Sequence, residues 1–227
     1  MVAGRTLMDA RLRAAAEAAP GFMPPDEGLA LYAAALKAAT FGPLVEIGTY
    51  CGKSTIYLAA AAREHGTFVV TVDHHRGSEE HQPGWEYHDT GLIDPTVGRI
   101  DTLPTMRRTL HAAGVEDTVV AVVGRSADVA ALWTTQVGLV FIDGGHTEEA
   151  AWQDYRSWAP HVMRGGLLVI HDVFENPAEG GQAPYHIYRA ALDSGQFVEG
   201  TVTGSLRVLH RTDLRVTGDD SLPRADR

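Results

Sequence analysis

Apolar and polar positions alternate along this chain in blocks, with short β-branched runs exchanging with longer stretches of helical period. Residues 5–19 and 27–39 are alanine-rich and repeat their apolar positions at helical spacing, and Pro20, Pro24 and Pro25 break the pattern between them. Residues 44–48 (LVEIG) form an apolar run that stops on glycine, the mark of a buried strand feeding a turn. A helix over 54–63 follows, closed by Gly66, and a β-branched strand over 67–72 ends on Asp73. After a polar stretch the alternation resumes. A helix over 102–113, a strand over 118–123, a short helix over 126–133 and a strand over 138–142 lead to Asp143. Thr147 is placed to cap a helix over 147–163, and a strand over 167–170 ends on His171 and Asp172. A helix over 185–193 precedes two strands, 197–202 and 205–210, split by Thr203 and Gly204 as in a hairpin.

Strands exchanging with helices predict an α/β fold: a Rossmann-like, doubly wound sheet, mostly parallel, with an antiparallel last strand. Residues 1–40 are expected to pack as helices on the core, 41–210 to form the ligand-binding domain, and 211–227 to be a disordered tail. In such sheets ligands lie beyond the carboxyl ends of the strands. The polar residues gather there, at Glu46, Asp73, Gly124-Arg125-Ser126, Asp143 and His171-Asp172. The segment HHRGSEEHQPGWEYHDTGLIDP, residues 74–95, is too polar for core and too long for an ordinary connection, which predicts a functional loop.

Composition narrows the picture. The chain has 227 residues, 44% hydrophobic and 21% charged, enough for one α/β domain with a sizeable core. A formal net charge of -10, with no basic run, argues against a nucleic-acid partner. The lone Cys51 excludes an intramolecular disulfide and a cysteine-based zinc site, and fits a reducing compartment. No apolar run reaches the roughly 18–20 residues that span a bilayer, and the N-terminus lacks a signal-like apolar core. A cytoplasmic protein without a membrane partner is expected. The alanine-rich N-terminal helices offer more apolar surface than the sheet requires, which predicts a homodimer.

The turn VEIGTYCGKST, residues 45–55, ends like a phosphate loop, but only three residues separate Gly48 from Gly52, where that loop needs four. Glu46 would also set negative charge beside a triphosphate. The NAD fingerprint fails because Tyr50 stands where it requires glycine. E-x-G-x-x-x-G after the first strand, an acid after the second and a closing hairpin instead resemble the class I S-adenosylmethionine-dependent O-methyltransferases. That resemblance covers residues 40–210. It implies cofactor contacts from Glu46, Gly48, Gly52 and Ser54 in the loop, ribose binding by Asp73, adenine contacts from Gly124 and Ser126, and a further contact from Asp143.

The segment FIDGGH, residues 141–146, followed by His171-Asp172 one strand later, is similar to a metal-dependent subgroup that methylates sugars and natural products. This implies a Mg2+ or Mn2+ site at Asp143 and Asp172, with His171 standing where that subgroup has an acid. A nitrogen ligand suits manganese better than magnesium. A sugar hydroxyl also needs a base, and a neutral histidine is suited to that role, here His146. In the polar loop Trp85 and Tyr87 are candidates to stack on a saccharide acceptor, and His74, His75, His88, Glu79 and Glu86 to bond its hydroxyls. The loop resembles that of mycobacterial enzymes that methylate the 1-hydroxyl of 3-O-methylated mannosides for methylmannose polysaccharides. Competing readings are a histidine-rich zinc site in the loop, a metal-free methyltransferase with another acceptor, an NAD- or nucleotide-binding protein, and a catalytically silent module.

Overall fold

The computed structural model describes residues 7–85 and 87–212. Residues 5 and 6 of the first expected helix, Glu86, and the tail from 213 onward lie outside the described residues. Two helices come first, α1 (Ala10–Ala18) and α2 (Pro25–Ala38). Then follow β1 (Leu44–Ile47), α3 (Lys53–Glu64), β2 (Val69–Asp73), a hairpin of β3 (Ile93–Asp94) and β4 (Arg99–Ile100), α4 (Leu103–Ala113) and β5 (Val119–Val123). The second half runs α5 (Ser126–Ala130), β6 (Val137–Ile142), α6 (Glu148–Trp158), β7 (Val162–Ile170), α7 (Ala183–Asp193), β8 (Phe197–Thr203) and β9 (Leu206–Arg211).

Seven strands form one sheet in the order β5-β2-β1-β6-β7-β9-β8. The first five are parallel, and β9 runs antiparallel to both β7 and β8. The expected α/β fold with a reversed last strand is therefore present. Alternation along each strand divides the core. Leu44, Leu139, Phe141 and Val169 face the layer of α1–α4, while Val45, Val70, Val140 and Leu168 face α5–α7. All eight are buried, and each full burial of such a side chain contributes about 1.5–3 kcal/mol.

Local chemistry sets most helix ends. Asp9 accepts hydrogen bonds from the amides of Arg11 and Leu12 to start α1, Pro25 opens α2 where no amide is needed, and Gly114 ends α4 in the left-handed region. The helix expected over 147–163 stops instead at Trp158. Pro160 has no N–H with which to continue it, and β7 starts at Val162, five residues before the expected strand. The β3–β4 hairpin lies inside the expected loop, with two residues per strand, too few to leave a pattern. Among the described residues no helix is long and apolar enough to cross a membrane.

Candidate functional site

The carboxyl ends of β1, β2, β5, β6 and β7 surround a cavity of about 1690 Å³. The turn after β1 lies flush against the end of β6. Gly48 has φ +92°, and a Cβ there would sit 2.0 Å from the Asp143 carbonyl oxygen, so only glycine fits. Asp73 clamps the same turn. Its Oδ2 accepts from the amides of Thr49 (3.0 Å) and Tyr50 (2.8 Å), and its Oδ1 accepts from the amide of His75 (2.7 Å). The described non-glycine residues with positive φ are Tyr50, His75 and Asp172, all at these strand ends. Such backbone costs on the order of 1–3 kcal/mol per residue and gathers at functional sites.

Of the residues the resemblance implies as cofactor contacts, Gly48, Asp73, Gly124, Ser126 and Asp143 line the cavity. Glu46, Gly52 and Ser54 do not. Glu46 points to the helical layer behind the turn, because the strand's alternation puts it on the same face as Leu44. Fully buried, it accepts from the hydroxyls of Ser54, Thr55 and Thr71, each at 2.6 Å. Burial pushes its carboxyl up to about 7 despite those hydrogen bonds. Gly52 starts α3 with φ +88° and rests near Met106, Thr109 and Leu110. These three residues shape the turn from behind.

At the ends of β6 and β7, acids and imidazoles alternate. His146 offers Nδ1 to Glu80 (2.9 Å) and Nε2 to Asp172 (3.1 Å). Burial disfavours its cation, but the two carboxylates prevail and push it up to about 10. Asp172 is held well below the usual carboxylate range: its hydrogen bonds to His146 and His171 outweigh burial. His171, expected as a metal ligand, is placed otherwise. It is buried with Nε2 on Glu27 (2.6 Å) and Nδ1 on Asp143 (3.0 Å), behind the lining of the main cavity. Despite burial these acids raise it well above its usual value, while Glu27 is lowered against its own burial. Glu27 also accepts from the Ser205 amide at 2.6 Å.

The ligand atoms of Asp143, His146 and Asp172 lie within 4.8 Å of one another. Two carboxylate oxygens and one imidazole nitrogen suit Mn2+, or Mg2+ completed by water. The donor set therefore fits a divalent ion, with His146 in the place expected of His171.

Aromatic rings form the mouth. Phe22 meets Tyr87 edge-on (centroids 4.9 Å apart) and Tyr50 at 5.6 Å, and Tyr50 stacks on His81 at 4.9 Å. Of the candidate acceptor contacts, His74, Trp85 and Tyr87 line the cavity. His75 and His88 do not. His75 is buried with Nδ1 2.7 Å from the Thr102 hydroxyl, and His88 is tied to the His81 carbonyl at 2.8 Å. Sequence reasoning missed Phe22, Glu27, Glu80 and Asp154. For Glu27 and Asp154 a signal existed, since both sit on the apolar faces of their helices.

A family model described as a methyltransferase domain matches residues 45–173, over half of the chain, and the chain belongs to that family. Among solved structures it resembles cofactor-bound Rv0187 from MTB, at 22% identity and TM-score 0.61, covering 89% of this chain and 88% of that one. It also resembles the O-methyltransferase TomG from Streptomyces achromogenes, involved in tomaymycin synthesis and solved with SAM, at 20% identity and TM-score 0.60 over 90% of each chain. A third is the O-methyltransferase from Bacillus cereus in complex with SAH, at 17% identity and TM-score 0.60, covering 91% of this chain and 93% of that one. At these identities the likeness is one of fold.

Proposed function

We propose that this member of the methyltransferase-domain family transfers a methyl group from S-adenosylmethionine to a hydroxyl of a saccharide, assisted by a divalent cation and with His146 as base. The supporting observation is that the Asp73-clamped glycine turn and the Asp143–His146–Asp172 cluster open into one cavity, so methyl donor and acceptor oxygen would meet there. Three backbone amides occupy Asp73, and a carboxylate's remaining acceptor capacity suits a ribose hydroxyl. Gly124 and Ser126, which line the same cavity, would lie beside the adenine. The bound sulfonium supplies an activated methyl group, and the protein's task is to hold the acceptor oxygen in line with it.

Asp143 and Asp172 would hold Mg2+ or Mn2+, which lowers the pKa of an acceptor hydroxyl. Glu80 fixes Nδ1 of His146 and aims Nε2 at Asp172. While both carboxylates hold the ring it keeps its proton, so it serves as base only when Asp172 is drawn elsewhere. Phe22, Trp85 and Tyr87 give the mouth faces on which a sugar ring can stack, with His74 and Glu79 available to its hydroxyls. The 1-hydroxyl of a 3-O-methylated mannoside, as in methylmannose polysaccharide synthesis, is an acceptor of this kind. In solution the protein is proposed to be a homodimer.

A second reading, favoured by the 4.8 Å clustering, makes His146 a third metal ligand. The His146→Ala variant separates the two. Kept Mn2+ affinity by calorimetry with turnover lowered roughly 10²–10⁴-fold identifies a base, whereas lost Mn2+ affinity identifies a ligand. Calorimetry of the wild type with S-adenosylhomocysteine and with NAD tests the cofactor, and tight binding of NAD alone would overturn the proposal. Full activity in EDTA would remove the cation from it.

A further inference from the structure

Asp154 projects from α6 into the cavity wall beside Ser126 and Gly144. It is 6% exposed. Its Oδ1 accepts from the Ser126 hydroxyl, and among the described residues that is its only hydrogen-bond donor. No cation pairs with it among those residues. Its Oδ2 faces Gly144, where an added Cβ would lie 2.5 Å away. The acid occupies a helix face otherwise given to Ala151 and Trp158, where an apolar residue would pack without the cost of burying a charge. Burial pushes its carboxyl up to about 6 despite Ser126, so near neutral pH it is mostly ionised. An ionised carboxylate has about four acceptor sites, and here one is used.

The sheet order gives this unspent capacity a direction. Strands β5 and β2 are neighbours, so Ser126 and Asp154 adjoin Asp73. Asp73, Ser126, Gly144 and Asp154 all line the one cavity. If Asp73 holds a ribose, as proposed above and on which this inference rests, the base extends toward Asp154. What a buried carboxylate with unused acceptor sites can take there is an N–H donor on the edge of a flat ring, and the missing Cβ of Gly144 is what lets the carboxylate reach the cavity wall at that point.

We infer that Asp154 reads the exocyclic amino group of the cofactor's adenine and so sets the enzyme's preference for a 6-amino purine. A 6-oxo purine would turn a lone pair toward the carboxylate. A hydrogen bond to a charged group that is lost in this way weakens binding about tenfold or more.

Calorimetry with S-adenosylhomocysteine and S-inosylhomocysteine, which differ in that group, tests it. The wild type should bind the adenosyl compound at least about tenfold more tightly, by the same reasoning. In Asp154→Asn, whose amide can donate to the 6-oxygen, the ratio should shrink to near one or invert. Asp154→Ala should also lose the preference, and a ratio taken within one protein is insensitive to a general loss of fold. Equal binding of both compounds to the wild type would overturn the inference. So would an unchanged ratio in Asp154→Asn with both affinities lowered, the result expected if Asp154 merely props Ser126. Failure of the wild type to bind S-adenosylhomocysteine at all would instead overturn the cofactor reading beneath it.

Discussion

Replacing Glu46 with glutamine should change how the protein's stability responds to pH, by an amount the structure allows to be worked out. The carboxyl is fully buried and is pushed from 4.5 up to about 7. Each pH unit of difference between folded and unfolded pKa corresponds to about 1.4 kcal/mol, so the gap amounts to about 3 kcal/mol. The folded state holds this proton more tightly than the unfolded chain does. Its contribution is therefore whole below pH 4.5 and is lost as the pH rises through about 7. Above that, the folded protein carries a buried carboxylate supported by three hydroxyls. Glutamine has the same shape and never ionises. Its NH2 group requires one of those hydroxyls to turn and accept, at about 1 kcal/mol and independent of pH. Urea denaturation of both proteins at pH 4.5 and pH 8 isolates the effect, since other titrating groups occur in both and largely cancel. Relative to the wild type, the variant should gain about 3 kcal/mol between the two pH values, by the same linkage. A stability difference that stays flat with pH would show that Glu46 is not held as described.

Three further outcomes are expected. Asp73→Ala should weaken S-adenosylhomocysteine binding by about 1.5–3 kcal/mol, the scale of hydrogen bonds to a charged group, and should lower stability because three amides lose their acceptor; unchanged affinity in a folded variant removes Asp73 from the site. Glu27→Ala leaves the cationic His171 buried without its shortest partner and should cost about 3–5 kcal/mol, visible in urea denaturation, so a stability equal to the wild type's would contradict the buried pair. Light scattering at micromolar concentration should give the mass of a dimer, and a monomer there would refute the proposed assembly.

The sheet was legible because each of the five parallel strands is a short apolar run followed by an acid, a histidine or a glycine, and those ends mark one rim of the fold. Asp73, Asp143 and Asp172 are strand-end residues and could be found by that rule alone. What the pattern could not give is direction. Glu46 looks like a rim residue in the sequence, but strand alternation turns it under α3, where Ser54 and Thr55 wait for it. His171 and His146 are both near strand ends, and only the fold shows that the first is enclosed by Glu27 and Asp143 while the second stands among ligand atoms. Contacts across long separations in the chain, such as Glu27 with His171, leave no periodicity to read.

That last contact changes the role of the N-terminal helices. As a sequence they read as a cover for apolar surface, and α2 does bury Leu31, Tyr32 and Ala35 in the core. Its first turn does something else. Glu27 passes between the β8–β9 turn and His171, accepting from Ser205 and meeting the imidazole. The fit is close: a Cβ on Gly204 would lie 2.1 Å from the Glu27 Oε1, so the turn needs glycine there. His171 in turn touches Asp143 and Asp172, and Asp172 touches His146. An unbroken series of opposite charges thus runs from a helix of the first forty residues to the cluster at the cavity floor. Each carboxylate in it is held in place by an imidazole, and His171 keeps its charge because Asp143, Asp172 and Glu27 surround it. The N-terminal helices are for that reason part of the site's construction, and a core cut free of them would leave Nε2 of His171 without the acceptor that fixes the ring beside the acids it positions.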